Sequence, residues 1–196
     1  MDYTVRPVRS EDWQKARLLR LEALQDPAAP VAFLEAYADA VRRPDAFWQG
    51  RTDAAAEGSS SRQFVAEAPD GTLVGTVSVV VERAADEAVR FGCPPESDQT
   101  HVVAVFVRPQ DRGRGVVDAL LREAVDWSFS LTDPRIDRVR LYVHEDNPRA
   151  AAVYRRAGFV RSGRTEAVPG DPTSQELEYE VRRRAAGHRK IGSEGS

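Results

Sequence analysis

Two glycines and three charged residues lie between a strand and a helix in the stretch Pro109-Gln110-Asp111-Arg112-Gly113-Arg114-Gly115. A turn that opens a helix offers free backbone N–H groups and the positive end of the helix dipole, so the chemistry it suits is anion binding. The strand before it, His101 to Arg108, is a run of β-branched and aromatic residues. It ends at Pro109, which cannot donate to a ladder. After the turn, Val117, Leu120, Leu121, Ala124 and Val125 follow the spacing of a helix with one buried face. The anion is not a triphosphate in a P-loop, because Val116-Val117 stands where that loop carries Lys-Ser/Thr. Nor is a dinucleotide turn complete, since Asp118 occupies the place of its third glycine.

A second block narrows the choice. Arg138 to Val143 alternates as a strand, and Asn147 to Gly158 reads as one short helix. Asn147 suits its N-cap, Pro148 its first position and Gly158 its left-handed stop. Phe159-Val160 begins the next strand. Together the spacing Gln110-x-x-Gly113-x-Gly115 and this strand–Asn–helix–Gly-Phe block, Val102 to Val160, resemble the GNAT superfamily of N-acetyltransferases. That superfamily carries Gln/Arg-x-x-Gly-x-Gly/Ala at its acyl-CoA pyrophosphate loop. One departure is Val117, where many members carry a small residue after the turn.

The resemblance implies an α/β (α+β) GNAT fold, a mixed, mostly antiparallel sheet of six to seven strands flanked by about four helices. It implies transfer of an acetyl group from acetyl-CoA to a primary amine of a small molecule or a protein, by direct attack in a ternary complex. A GNAT-fold module that holds acyl-CoA without turnover, as a sensor or regulator, is the alternative. The donor's pyrophosphate would lie on Arg112, Gly113, Arg114, Gly115 and Val116, through N–H groups and the two arginine side chains. Its pantetheine arm would pair with the central strand at Val105, Phe106 and Val107, whose N–H groups would also polarise the thioester. Tyr154 matches the family's general acid and would protonate the departing thiolate; as a residue, it fits equally a core tyrosine beside Ala150, Val153 and Ala157. Asn147 either contacts the pantetheine or simply caps its helix.

An amine must lose a proton before it attacks, and the sequence leaves the base open. His101 is the first choice because histidine titrates near neutrality. Glu82, at the end of the preceding strand, His144 and a water chain are the other options. No metal enters this reading.

The elements that must hold these residues run as follows. Tyr3 to Pro7 is a first strand, and a helix capped by Ser10 runs to about Leu24, stopped by Asp26-Pro27. Helical patches at Phe33 to Val41 and around Phe47-Trp48 would wall the acceptor pocket, with Phe33, Tyr37 and Trp48 as candidate contacts. Arg51 to Arg62 reads as a loop. Gln63 to Ala68 and Leu73 to Val81 form a hairpin about Pro69-Asp70-Gly71, with Gly75 marking a bulge or close packing. Glu82 to Thr100 is a long linker whose Glu96 and Asp98 would attract a cationic amine. Arg161 to Thr173 reads as polar connection, and Ser174 to Val181 as a last strand. Residues 1–181 thus make one domain, and 182–196 a disordered tail.

With 196 residues and 41% hydrophobic composition, the chain suffices for one core. The net charge of −3 gives no pull toward nucleic acid or a membrane surface. Cys93 is the only cysteine, no apolar run is long enough to span a bilayer, and the start lacks a signal pattern, so a cytoplasmic protein is expected. Relatives in the superfamily often form homodimers, but no stretch here marks an interface.

Overall fold

The computed structural model describes residues 3–84 and 92–183. Seven strands form one sheet: β1 (Thr4–Pro7), β2 (Ser61–Glu67), β3 (Leu73–Glu82), β4 (Gln99–Val107), β5 (Arg138–His144), β6 (Val160–Val168) and β7 (Asp171–Arg182). Their order is β1-β2-β3-β4-β5-β7-β6. Every neighbouring pair is antiparallel except β4–β5, which is parallel. Five helices flank the sheet: α1 (Trp13–Ala23), α2 (Tyr37–Ala40), α3 (Asp45–Glu57), α4 (Val116–Ser130) and α5 (Pro148–Arg156).

Alternation along β2 shows how the layers form. Phe64 and Ala66 face the core shared with Leu120, Leu121 and Ala124 of α4. Val65, between them, faces Leu19 of α1 and Ala55 of α3. A period-two strand thus carries a helical layer on each face. Gly75 lets α4 approach closely: an added Cβ would lie 3.0 Å from Leu120 Cδ1 and 3.2 Å from the Phe106 carbonyl oxygen. The bulge itself sits in β4. Ser78 pairs with Val103 and Thr76 with Phe106, so β4 spends one extra residue there. Ala104 absorbs it with φ 54, a left-handed conformation that costs a non-glycine residue about 1 kcal/mol.

Four sequence expectations need correction. The first helix begins as a 3₁₀ turn at Ser10–Asp12, and its cap is not Ser10: the Asp12 carboxylate accepts the Arg9 N–H at 2.9 Å. The Phe33–Val41 patch shrinks to the single turn of α2. The bent, non-helical backbone there lets Phe33 lie against Arg20 and lets Glu35 meet Arg20 and Arg43 at 2.9 and 3.3 Å. Arg51 to Glu57 is no loop; α3 continues through it, because Ala54-Ala55-Ala56 favours helix and Trp48, Thr52 and Ala55 share a buried face. Gly58, at φ 76, then stops the helix. Finally, Arg161 to Thr173 is mostly strand: β6 and the start of β7 form a hairpin about Gly170. As the sheet's edge, β6 is largely exposed, so its side chains are polar and carry no alternation to read.

Arg182 ends β7, and residues 184–196 of the expected tail lie outside the described residues, as do Asp86 and Glu87 of the linker. Among the described residues, no helix is long and apolar enough to cross a membrane.

Candidate active site

The parallel ladder between β4 and β5 comprises only Thr100↔Val139 and His101↔Arg140. Beyond His101 the strands part, consistent with the bend a bulge imposes at Ala104. A cleft of about 890 Å³ opens between them. The glycine turn and the start of α4 line the end beyond Val107, His101 lies where the ladder is still closed, and Tyr142, His144 and Glu176 line the β5–β7 side. Val105, Phe106 and Val107 line the wall between, on the side of β4 that lacks a strand partner.

At the turn, Gly113 and Gly115 have φ of 76 and 80, and a Cβ on either would meet nothing within 4 Å. Glycine is needed for the backbone, and the space before it is open. The Gly115 carbonyl accepts the first α4 bond, from Ala119 N at 3.0 Å. The N–H groups of Val116, Val117 and Asp118 therefore have no partner within the helix and mark an anion seat. The arginine side chains serve partly elsewhere. Arg112 donates to the Val107 carbonyl at 2.9 Å and pairs with Asp26. Arg114 reaches the Tyr3 hydroxyl at 3.3 Å and lies 3.7 Å from Asp111, with 47% of its side chain exposed. Arg112 thus braces the segment after α1 over the cleft. Asn147 adds a second tie: its amide donates to the Val31 carbonyl at 3.3 Å, while its side-chain oxygen caps α5 by accepting from Ala150 N at 3.1 Å.

At the other end, Glu82 and His101 meet although a long connection separates them. The β3–β4 hairpin places Val80 opposite His101 and Glu82 opposite Gln99, so Glu82 is diagonal to the histidine. Both side chains are buried, and Glu82 Oε1 lies 3.0 Å from His101 Nδ1. Arg140 forks onto the same carboxylate at 2.8 and 3.0 Å, and Gln99 donates to it at 2.7 Å. Burial pushes the Glu82 carboxyl up, but the hydrogen bonds from His101 and Arg140 outweigh it and hold it at about 2. An ionised carboxylate only accepts, so His101 Nδ1 carries a proton, and in the neutral ring Nε2 holds the lone pair. Glu82 is thereby a weak base, and its hydrogen bond fixes the orientation of the His101 ring. His144 is set the opposite way. Its Nδ1 accepts the Asp146 N–H at 3.1 Å, so Nε2 bears the proton in the neutral ring.

The low Glu82 value carries a stability consequence with a definite sign. A carboxyl held below its ordinary 4.5 stabilises the fold above that pH, and the contribution is lost as pH falls toward 2. Urea unfolding at pH 7 and pH 3 is expected to show wild type losing about 2 kcal/mol more over this interval than Glu82→Gln. Equal losses would mean that the carboxylate is not so held.

Tyr154 lies on α5 with its ring edge-on to Phe159, centroids 6.3 Å apart. It lines the cleft, and its hydroxyl has no hydrogen-bond partner among the described residues. Burial, then the charge of Glu176, pushes the phenol above its ordinary value, so it keeps its proton through the neutral range. Of the expected acceptor contacts, only Phe33 lines the cleft; Trp48 is buried in the core and Tyr37 lies outside. Glu96 and Asp98 also lie outside it: Glu96 pairs with Arg164, and Asp98 accepts the Ala84 N–H. Sequence reading missed Arg140, Tyr142 and Glu176. Their signal was the alternation of β5 and β7, which sets Arg140, Tyr142 and His144 opposite Glu180, Glu178 and Glu176.

The sheet thus splays beside a glycine turn, with an ordered histidine–carboxylate pair where the ladder is still closed. The chain belongs to the acetyltransferase (GNAT) family, whose model matches residues 18–159. It is 25% identical over 105 residues to a spermidine N(1)-acetyltransferase of Vibrio cholerae, covering 54% of this chain and 53% of that protein. It is 34% identical over 106 residues to the N-alpha-acetyltransferase RimI of Mycobacterium tuberculosis, covering 54% and 56%. The chain thus spans about half the length of these two relatives. In fold it is similar to the PaiA N-acetyltransferase of Thermoplasma acidophilum in complex with coenzyme A, with TM-score 0.68, 17% identity, and 93% and 100% of the two chains covered.

Proposed function

We propose that this protein transfers an acetyl group from acetyl-CoA to the amine of a small molecule or a protein, by direct attack within the cleft. The observation that carries this reading is the early parting of β4 from β5, which leaves a strand edge running from the glycine turn to His101. The donor fits the residues present. The N–H groups of Gly113 to Val116, with Arg114 beside them, receive pyrophosphate, and the open space before the two glycines admits it. The free side of β4 at Val105 to Val107 holds the pantetheine amides and aims N–H groups at the thioester oxygen. When bound, the donor supplies the activated acyl group; the rest is done by side chains.

His101 Nε2 takes the proton from the incoming amine, while Glu82 holds the ring in that tautomer and stabilises the imidazolium. The amine nitrogen bonds to the acyl carbon, the carbon–sulfur bond breaks, and the electron pair leaves on sulfur. Tyr154, still protonated, meets that charge as an O–H donor and supplies the thiol proton. Tyr154→Phe is expected to lower kcat about 100-fold and leave acetyl-CoA affinity within about twofold. Unchanged turnover would confine Tyr154 to packing.

The decisive experiment is acetyl-CoA binding by calorimetry, followed by thiol release with a panel of primary amines. Binding with amine-dependent release supports the transferase. Binding without release from any amine supports an acyl-CoA sensor, and absence of binding removes both.

A further inference from the structure

The β5–β7 ladder sets three carboxylates on one face opposite a cationic and aromatic row: Arg140 with Glu180, Tyr142 with Glu178, and His144 with Glu176. Two of the three are neutralised. Glu180 pairs with Arg138 and with Arg182. Glu178 pairs with Arg138 and Arg140 and accepts the Tyr142 hydroxyl at 2.9 Å. The third, Glu176, has neither an ion pair nor a hydrogen bond among the described residues, and it alone of the three lines the cleft. Its cross-strand neighbour His144 makes no ion pair or hydrogen bond with it; the His144 Nδ1 accepts the Asp146 N–H at 3.1 Å instead.

A half-buried carboxylate without a partner is costly unless something arriving in the cleft neutralises it. We infer that Glu176 is the docking carboxylate for a positively charged acceptor, so that the site takes amines that carry a cationic group and disfavours those that carry a carboxylate. The inference rests on the transferase reading for its biological setting, though not for its test. Two further facts agree with it. The Glu176 carboxyl is pushed up by burial, which outweighs the opposing pull of His144. Its charge also reaches Tyr154, where it opposes negative charge building on a leaving sulfur, and a docked ammonium would cancel that opposition.

The test uses two probes of equal chain length and opposite ends, 1,4-diaminobutane and 4-aminobutanoate. Each is titrated by calorimetry into the protein saturated with coenzyme A, then offered with acetyl-CoA in a thiol-release assay. Wild type is expected to favour the diamine by about tenfold or more, and Glu176→Gln to lose most of that preference. In the assay, the loss should appear chiefly in the acceptor KM, with acetyl-CoA affinity little changed, and Glu176→Asp should restore part of it. A purely structural role would instead move folding stability and donor affinity.

Equal diamine affinity in wild type and Glu176→Gln overturns the inference. So does a wild type that binds no diamine or prefers the amino acid. If the diamine binds through Glu176 but neither it nor any amine of the panel releases thiol, the docking site stands and the transferase reading fails. If thiol is released with a KM indifferent to Glu176, the transferase stands and the docking site fails.

Discussion

His101→Ala is expected to lower kcat/KM for the acceptor by about 100- to 1,000-fold while leaving acetyl-CoA binding intact. The size follows from what the ring does. Glu82 accepts from Nδ1, which leaves Nε2 as the acceptor, and the pair sits at the end of the cleft where the sheet is still closed. The amine arrives protonated at neutral pH and cannot attack until that proton has a place to go. Without the imidazole, the carboxylate of the pair that is left is Glu82, still forked by Arg140, and a carboxylate paired with a guanidinium is a poor acceptor for an ammonium proton. Steady-state rates for wild type and variant, with calorimetry for the donor, decide the matter. A rate unchanged by the substitution would assign proton removal to a water chain. A fall in donor affinity of the same size would make the histidine a structural support.

Gly115→Val is expected to weaken acetyl-CoA binding by about 100-fold. Gly115 begins α4 with φ 80, where a β-branched residue is strained, and its missing side chain faces open space rather than protein. The substitution therefore acts twice, by twisting the turn away from the anion seat and by filling it. Gly115→Asn separates the two effects, because asparagine tolerates left-handed backbone better than valine. The asparagine variant should keep near-native stability and still bind the donor poorly. Calorimetry on both proteins, with thermal unfolding as the control, tests this; native affinity in both would place pyrophosphate elsewhere.

The residues of the proposed donor half stand out in the sequence because they are local. The turn at Gly113 and Gly115, the strand from His101 to Val107 and the block from Asn147 to Gly158 each carry their own geometry in consecutive residues. Those of the acceptor half do not, because that half is made by pairing across the sheet. Glu82 and His101 were both visible as candidates, but their contact depends on hairpin register across a long connection. Arg140 looked like the polar side of an ordinary strand until β4 lay beside it. Glu176 stood among alternating glutamates of a half-exposed strand, and only the ladder shows which of them lacks an arginine. The helix through Ala54 to Ala56 and the strand from Val160 to Val168 were missed for opposite reasons. In the first, the serines and glycine that follow masked strong helix formers. In the second, an edge strand wet on both sides keeps no periodicity.

The free side of β4 carries one more consequence. Where β5 has turned away, the cleft offers backbone N–H and C=O groups rather than side chains. Such a surface is silent to ordinary mutagenesis. Exchanging Val105 or Val107 for isoleucine alters packing but not the peptide groups, and alanine scanning there would register lost core volume instead of lost contacts. On the proposed reading the donor is held by peptide groups and not by these side chains, and proline, by deleting an N–H, would reveal it.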